Sequence, residues 1–280
     1  MNTDIEGERN PTAELFGEQR NGARSWKARL WAASPVVGAF VAFMVAWYGL
    51  VLVFKVPQYL LPTPGQIVAE FSNSSLFLRH GSVTLIEAVF GFFIGTGIGF
   101  IIAVVLDASS LLQRGVLPYL IASTNVPIVA IAPVLVLWFG FGIESKIAVA
   151  AFLVFFPVVI YTLKGLKSAE PVLRDIFYSN SATRWQTFWQ LRLPSALPYI
   201  FTALKVAAST SVLAAVIAEF IQASVGLGYL ILISSYENNI TRVWAAVLVS
   251  ASIAIVFYSV VVLVERRAIP WHASMSSDKR

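Results

Sequence analysis

Residues Glu170–Pro198 read EPVLRDIFYSNSATRWQTFWQLRLPSALP, a polar, basic, proline-bounded stretch between two apolar blocks, Ile147–Leu163 and Tyr199–Ile221. The block before it has no charge at all, and the block after it has only Lys205 and Glu219. Working outward, the whole chain follows this alternation. Of 280 residues, 58% are hydrophobic and 12% are charged, about half the roughly 25% charge of a soluble domain. The mean hydropathy is +0.75. Apolar runs recur at the length of about 20 residues that carries a helix across roughly 30 Å of hydrocarbon. The expected fold is all-α, a polytopic membrane protein with about six transmembrane helices.

The organisation follows from composition. Residues 1–29 form a polar tail with a basic end, residues 30–267 the transmembrane domain with the polar loop 168–198 inside it, and residues 268–280 a second tail. The tail is too acidic, and the run behind it too long, for a typical cleaved signal, so it is expected to be retained. Spans are expected at about Trp31–Phe54, Val83–Leu106, Val116–Phe139, Ile147–Leu163, Tyr199–Ile221 and Trp244–Val264. Pro57, Pro62 and Pro64 stiffen the link after the first span. A short interfacial helix is expected from Pro64 onward, and another from Val225 to Leu232, interfacial or re-entrant.

The second span has Gly91, Gly95 and Gly99 at four-residue intervals, with Glu87 one turn earlier on the same stripe. That spacing suits close helix packing better than a hinge. The third span is interrupted by Pro118, Pro127 and Pro133. Unpaired carbonyls at membrane depth need protein or a wet cavity beside them. Asn125 and Pro127, with Ser123 and Thr124, are therefore either a pathway lining or an ordinary interhelical hydrogen-bonding patch. Glu87 and Glu219 are the acids within spans, where charge is expensive and usually faces a partner or cavity. Glu219 suits a gate or a binding-protein contact, or equally a cap on the turn that follows it.

Charge placement sets the orientation. With the N-terminus inside, sixteen of the twenty Lys and Arg fall on inner segments, leaving Lys55, Arg79, Lys146 and Arg242 outside. Both termini and the polar loop are expected in the cytoplasm, and the net charge of +5 needs no nucleic acid. There is no cysteine, which excludes disulfides and thiol chemistry. His80 and His272 lie far apart and read as solvated or interfacial, so no metal site is expected. Neither a phosphate-binding glycine loop, a Ser/His/Asp set nor a zinc-protease motif is present, and no catalytic residue is assigned.

Within the loop, Glu170-Pro171 opens one helix, expected to run to about Asn180. Thr183 and Gln186 stand in capping-box spacing, so a second helix should begin near Arg184 and stop by Pro194. Trp185, Phe188 and Trp189 share one face of it. Such a pair of helices is either an interfacial anchor or a rigid knob for a partner's groove.

Here the sequence resembles a family. Asp175 to Pro198 is similar to the cytoplasmic EAA loop of binding-protein-dependent ABC importer permeases. Asp175 stands for the family's glutamate, Ile176 and Phe177 for its alanines, and Ser181 for its glycine, while Leu191–Pro198 keeps the ending pattern. Asn125–Pro133, Leu137–Gly142 and Glu219–Leu230 resemble the nitrate, sulfonate, taurine and pyrimidine-precursor branch of these permeases. The resemblance covers about residues 60–270.

It implies alternating access driven by ABC ATPase subunits, which carry ATP and Mg while this chain binds no cofactor. It also implies an extracytoplasmic substrate-binding protein, a second permease chain (a homodimer), surrounding membrane lipid and a place in a prokaryotic inner membrane. The ATPase-coupling residues would be Asp175, Ser181, Ala182, Thr183, Arg184, Trp185, Gln186, Phe188 and Trp189. A vitamin or precursor, such as a thiamine pyrimidine precursor or riboflavin, is the favoured substrate; nitrate, sulfonate or taurine is the alternative. In another class, the rival is a channel or secondary transporter that needs no ATPase.

Overall fold

The computed structural model describes the backbone of residues 26–270 and the side chains of residue 35 and residues 37–270. Most of the N-terminal tail, His272 and most of the C-terminal tail thus lie outside the described residues. Among those described, every regular element is helical. The chain divides at Pro57 into two units. The first contains α1 (Trp26–Val53), whose stretch Val37–Val53 is apolar.

The second unit holds the other helices. They are α2 (Pro64–Glu70), α3 (Ser74–Ala108), α4 (Ser110–Ser123), α5 (Ile128–Phe139) and α6 (Ile143–Leu166). The polar loop contributes α7 (Pro171–Ser179) and α8 (Arg184–Thr187). After a π-helical turn at Phe188–Arg192 come α9 (Leu193–Gln222), α10 (Leu227–Tyr236) and α11 (Ile240–Ala268). Four segments are long and apolar enough to cross a membrane by themselves: α3, α6, α11 and the run Arg184–Gln222 that ends in α9. The protein is an all-α, multi-pass membrane protein.

Three expectations need correction. The third span is not one interrupted helix: α4 and α5 meet at 103° and together make at most one broken span. Prolines announced a break, and the chain tightens over Thr124–Val126 before turning extended at Pro127 itself, with ψ 122°. Ser123 Oγ donates to the Tyr119 carbonyl at 2.8 Å and Thr124 Oγ1 to the Ile121 carbonyl at 2.7 Å, while Asn125 Nδ2 reaches both the Ile121 and Ala122 carbonyls at 3.4 Å. Those bonds supply the carbonyls that a continuing helix would have paired.

Pro194 does not end the second loop helix. Its ring crowds the carbonyl four residues back and it has no N–H, and the chain answers by widening the preceding turn. Leu193 N–H donates to the Phe188 carbonyl, five residues back. Helix then runs on through Pro194 and Pro198, so the fifth span begins at Leu193 rather than Tyr199. The third correction concerns His80, which is buried rather than solvated.

The packing centre is α3 against α6 against α9. Gly91, Gly95 and Gly99 all face α6 within this chain. A Cβ on Gly95 would stand 2.5 Å from the Ala151 carbonyl oxygen and 2.9 Å from Val154 Cβ, and one on Gly99 would stand 2.9 Å from the Phe155 carbonyl oxygen. Such backbone approach is what small residues permit where lipid offers no hydrophobic drive. On the other side, α9 presents Ala203, Ala207, Ala208, Ala214 and Ala215, all fully buried. Phe92, Val154, Val158, Phe201 and Val261 fill the space between the helices.

Candidate functional site

The polar loop folds on its own local rules. Pro171 takes the first turn of α7, where its missing N–H costs nothing. The helix ends in a Schellman arrangement: Ala182 N–H donates to the Phe177 carbonyl and Ser181 N–H to the Tyr178 carbonyl, both at 3.0 Å. Ser181 holds the left-handed position with φ 53°. Thr183 then caps α8 reciprocally with Gln186. The Gln186 N–H donates to Thr183 Oγ1 at 3.2 Å, and Thr183 N–H donates to Gln186 Oε1 at 2.8 Å. With both helix ends satisfied internally, the turn keeps its shape without outside help.

The loop shows large apolar side chains to its surroundings. Tyr178 is 87% and Trp185 69% exposed, with Val172, Ile176 and Trp189 exposed beside them in the same loop. Trp185, Phe188 and Trp189 pack together, Trp189 standing edge-on to the other two with its ring centroid 5.4 Å from that of Trp185. Asp175, Ser181, Thr183, Arg184 and Gln186 are also exposed, while Ala182 and Phe188 are half-buried. The loop is therefore a capped knob whose aromatic cluster and carboxylate stand free of the helix group.

Its base is pinned to that group. Arg192, last residue of the π-turn, donates from Nη2 to Asp107 Oδ1 at 2.6 Å and from Nε to the Leu166 carbonyl at 3.2 Å. Asp107 lies one residue from the end of α3, and Leu166 is the end of α6. Close by, Ser168 Oγ is within reach of the Gly165 and Ser195 carbonyls. A Cβ on Gly165 would meet Tyr199 Cβ at 2.8 Å. Farther along α9, Lys205 Nζ pairs with both Glu265 oxygens, at 3.0 and 2.9 Å. Lys205 thus pairs within the helix group rather than with the loop.

The opposite end of the same helices contains a second polar group. Glu219 is 1% exposed. Its Oε1 accepts from Thr84 Oγ1 at 2.7 Å and its Oε2 from Gly228 N–H. Thr84 Oγ1 in turn accepts from Leu227 N–H at 2.8 Å, and Gly226 N–H donates to His80 Nδ1 at 3.0 Å. The carboxylate and the threonine therefore cap the free amides at the start of α10. Gly226 has φ 130°, a left-handed angle that only glycine takes cheaply, and its α-carbon lies against that carboxylate. Of the two readings for Glu219, this geometry is that of a cap.

Glu87 is also buried, with Oε2 unpartnered. Lys146 is 4% exposed rather than an external loop charge, and donates to the Phe141 carbonyl at 2.7 Å and the Gly142 carbonyl at 3.0 Å. Asn125 and Pro127 are exposed at the α4–α5 bend. Sequence reasoning missed His80, Lys146, Asp107 and the Lys205–Glu265 pair. The available signal was the position of each within or at the rim of an apolar run, where an ionisable group needs a partner.

The relatives agree with this architecture. The family of binding-protein-dependent transport system inner membrane components matches residues 95–270. The formylaminopyrimidine transport permease ThiX of Halalkalibacterium halodurans is 33% identical over 83% of this chain and 93% of its own length. The riboflavin transport permease RibX of Chloroflexus aurantiacus is 32% identical over 90% and 95%. The taurine transport permease TauC of Escherichia coli is 28% identical over 85% and 90%. An exposed knob clamped to a glycine-packed group of spans, in a chain so matched, belongs to the binding-protein-dependent transport system inner membrane components: it is a permease subunit of an ABC importer, with ATP hydrolysis carried by a separate subunit.

Proposed function

We propose that two copies of this chain form the transmembrane pathway of an importer for a small organic solute, a vitamin or vitamin precursor. The loop end faces the cytoplasm, a reading supported by the excess of Lys and Arg on the segments at that end. There the knob of α7 and α8 seats in a groove of the ATPase subunit, which holds ATP and Mg. A loaded binding protein docks on the opposite face.

The observation that carries the docking role is the combination of internal capping with exposed apolar side chains at Val172, Tyr178, Trp185 and Trp189. A simple interfacial anchor needs an apolar face but no reciprocal cap and no Schellman turn. A groove-binding helix pair needs both, because a preformed shape lowers the ordering cost of binding. The substrate class rests on the relatives of 33% and 32% identity, a formylaminopyrimidine and a riboflavin permease. Sulfonate, taurine and nitrate permeases at lower identity define the alternative class. The bend at Asn125 and Pro127, with its exposed polar groups, is assigned to the pathway.

The test is to reconstitute the chain with its ATPase and binding protein in liposomes and offer formylaminopyrimidine, riboflavin and taurine separately. Uptake of one of the first two that stops without ATP supports the reading. Uptake that continues without ATP, or an ATPase that fails to bind the chain, points to a channel or secondary transporter instead. Trp185→Ala should lower ATP-dependent uptake by about tenfold or more, as truncation of a central aromatic anchor does in a docking site. Unchanged uptake would remove the knob from the docking role.

A further inference from the structure

The ion pair at the base of the loop has a geometry that simple attachment does not need. We infer that Arg192 is the positioning residue through which movement of the loop is passed to α3 and α6 together. The inference rests on the reading that the loop meets an ATPase, and it goes beyond the loop's surface to the joint beneath it.

Arg192 uses two arms of its planar fork on two different helices: Nη2 on Asp107 of α3, Nε on the carbonyl that ends α6. Lysine would have to reach both acceptors from the single point of its ammonium, whereas the guanidinium offers them separate nitrogens of a planar fork. The acceptors are themselves fixed. Asp107 has a side chain only 4% exposed, and α3 and α6 are packed closely together at the glycine stripe Gly91, Gly95 and Gly99. Arg192 therefore grips a rigid pair.

Its own backbone is of the other kind. It sits at the end of a π-helical turn, between four residues of α8 and the thirty of α9. A π-turn is a local widening where helical register can change at low cost. Without the guanidinium, a push on α7 and α8 would be absorbed in that turn. With it, the push reaches two spans whose ends lie side by side.

Because the chain has no cysteine, single labels at Ser109 and Ser179 can report the distance between the end of α3 and the end of α7. The experiment measures that distance by pulsed electron resonance in the liposome complex with its ATPase, with and without a non-hydrolysable ATP analogue. The same complexes are scored for ATP hydrolysed per riboflavin or formylaminopyrimidine imported.

With Arg192 intact, loop and α3 move as one and the label distance does not change on nucleotide binding. In Arg192→Gln the distance changes on nucleotide binding, and ATP used per substrate rises by about tenfold, a typical coupling loss. Arg192→Lys, which keeps the charge but not the second arm, falls between. Asp107→Arg combined with Arg192→Asp recovers at least about a third of the lost coupling, since the ion pair returns without the Leu166 bond.

A nucleotide-independent distance in Arg192→Gln with unchanged ATP per substrate overturns the inference. So does a loss of complex assembly that lowers hydrolysis and uptake in step in every variant, for then the pair is merely structural. If the unaltered chain shows no ATP-dependent uptake at all, the importer reading fails first and the joint with it.

Discussion

The two ends of the α3–α6–α9 group are both held by polar contacts, but in opposite ways. At the end away from the loop, Glu219 and Thr84 bond to backbone amides of Leu227 and Gly228, and both side chains are buried. At the loop end, ion pairs join side chains, Asp107 with Arg192 and Lys205 with Glu265, each with a partly exposed cation, and Arg192 also reaches the Leu166 carbonyl. A backbone amide cannot leave its acceptor without unwinding the helix start that it belongs to, and an orphaned buried amide is costly. An arginine or lysine can swing into solvent and return. The far end is therefore built as a cap on backbone amides and the loop end as a set of partly solvated ion pairs between helices. That asymmetry suits a protein in which force enters from the loop.

Removing Glu219 should be the most damaging change. Glu219→Ala orphans the Gly228 amide, at a cost of about 1–3 kcal/mol, and leaves a cavity beside Gly226 that adds to it. Thr84 can fall back on the His80 carbonyl, 3.2 Å away. Glu219→Gln should lose less, because its amide oxygen still accepts from Gly228. Thermal unfolding of the detergent-purified chain reads the order. An alanine variant as stable as the unaltered chain would mean that the far end is not held by this cap.

Parts of this comparison were legible in the sequence and parts were not. Apolar run length located the spans to within a few residues at several of their ends, because the bilayer imposes a length. The Thr183–Gln186 box located the start of α8, because its partners are three residues apart. The glycine stripe identified a packing face, although not the helix that meets it. Contacts across long separations stayed hidden: Asp107 and Arg192 are 85 residues apart, and Glu219 meets Thr84 across 135. Lys146 looked like a solvent charge, since nothing local says that its ammonium will turn onto the carbonyls of Phe141 and Gly142. Proline spacing predicted trouble at both 127 and 194. It did not say that one site would bend the chain by 103° and the other be absorbed in a wide turn.

The links at the loop end should respond more mildly, and in a way that separates them from the cap. Lys205→Met leaves the Glu265 carboxylate unpaired with a side chain 8% exposed. Since Lys205 is itself 23% exposed, the loss should fall below the roughly 3–5 kcal/mol of a fully buried pair. Lys205→Met with Glu265→Leu should recover most of it, as removing both partners also removes the desolvation penalty. The cap has no such remedy, because one partner is backbone. A double variant no more stable than the single one would show that Lys205 acts through packing of its stem rather than through charge.

The smallest effect, and the sharpest test of the loop's independence from both ends, lies at Ser181. Its left-handed angle strains a side chain that glycine would not carry. Ser181→Gly removes the strain but frees the unfolded chain, so only a fraction of the roughly 1–2 kcal/mol survives as gain. Amide exchange at Ser181 and Ala182, the two donors of the Schellman turn, should slow by about threefold, equivalent to ~0.6 kcal/mol. Global unfolding should not move, since the loop opens without disturbing the glycine-packed spans. Faster exchange would show that the serine side chain itself supports the turn. A matching shift in global unfolding would show that the knob and the spans melt as one unit, and the loop end would then be as rigid as the cap opposite it.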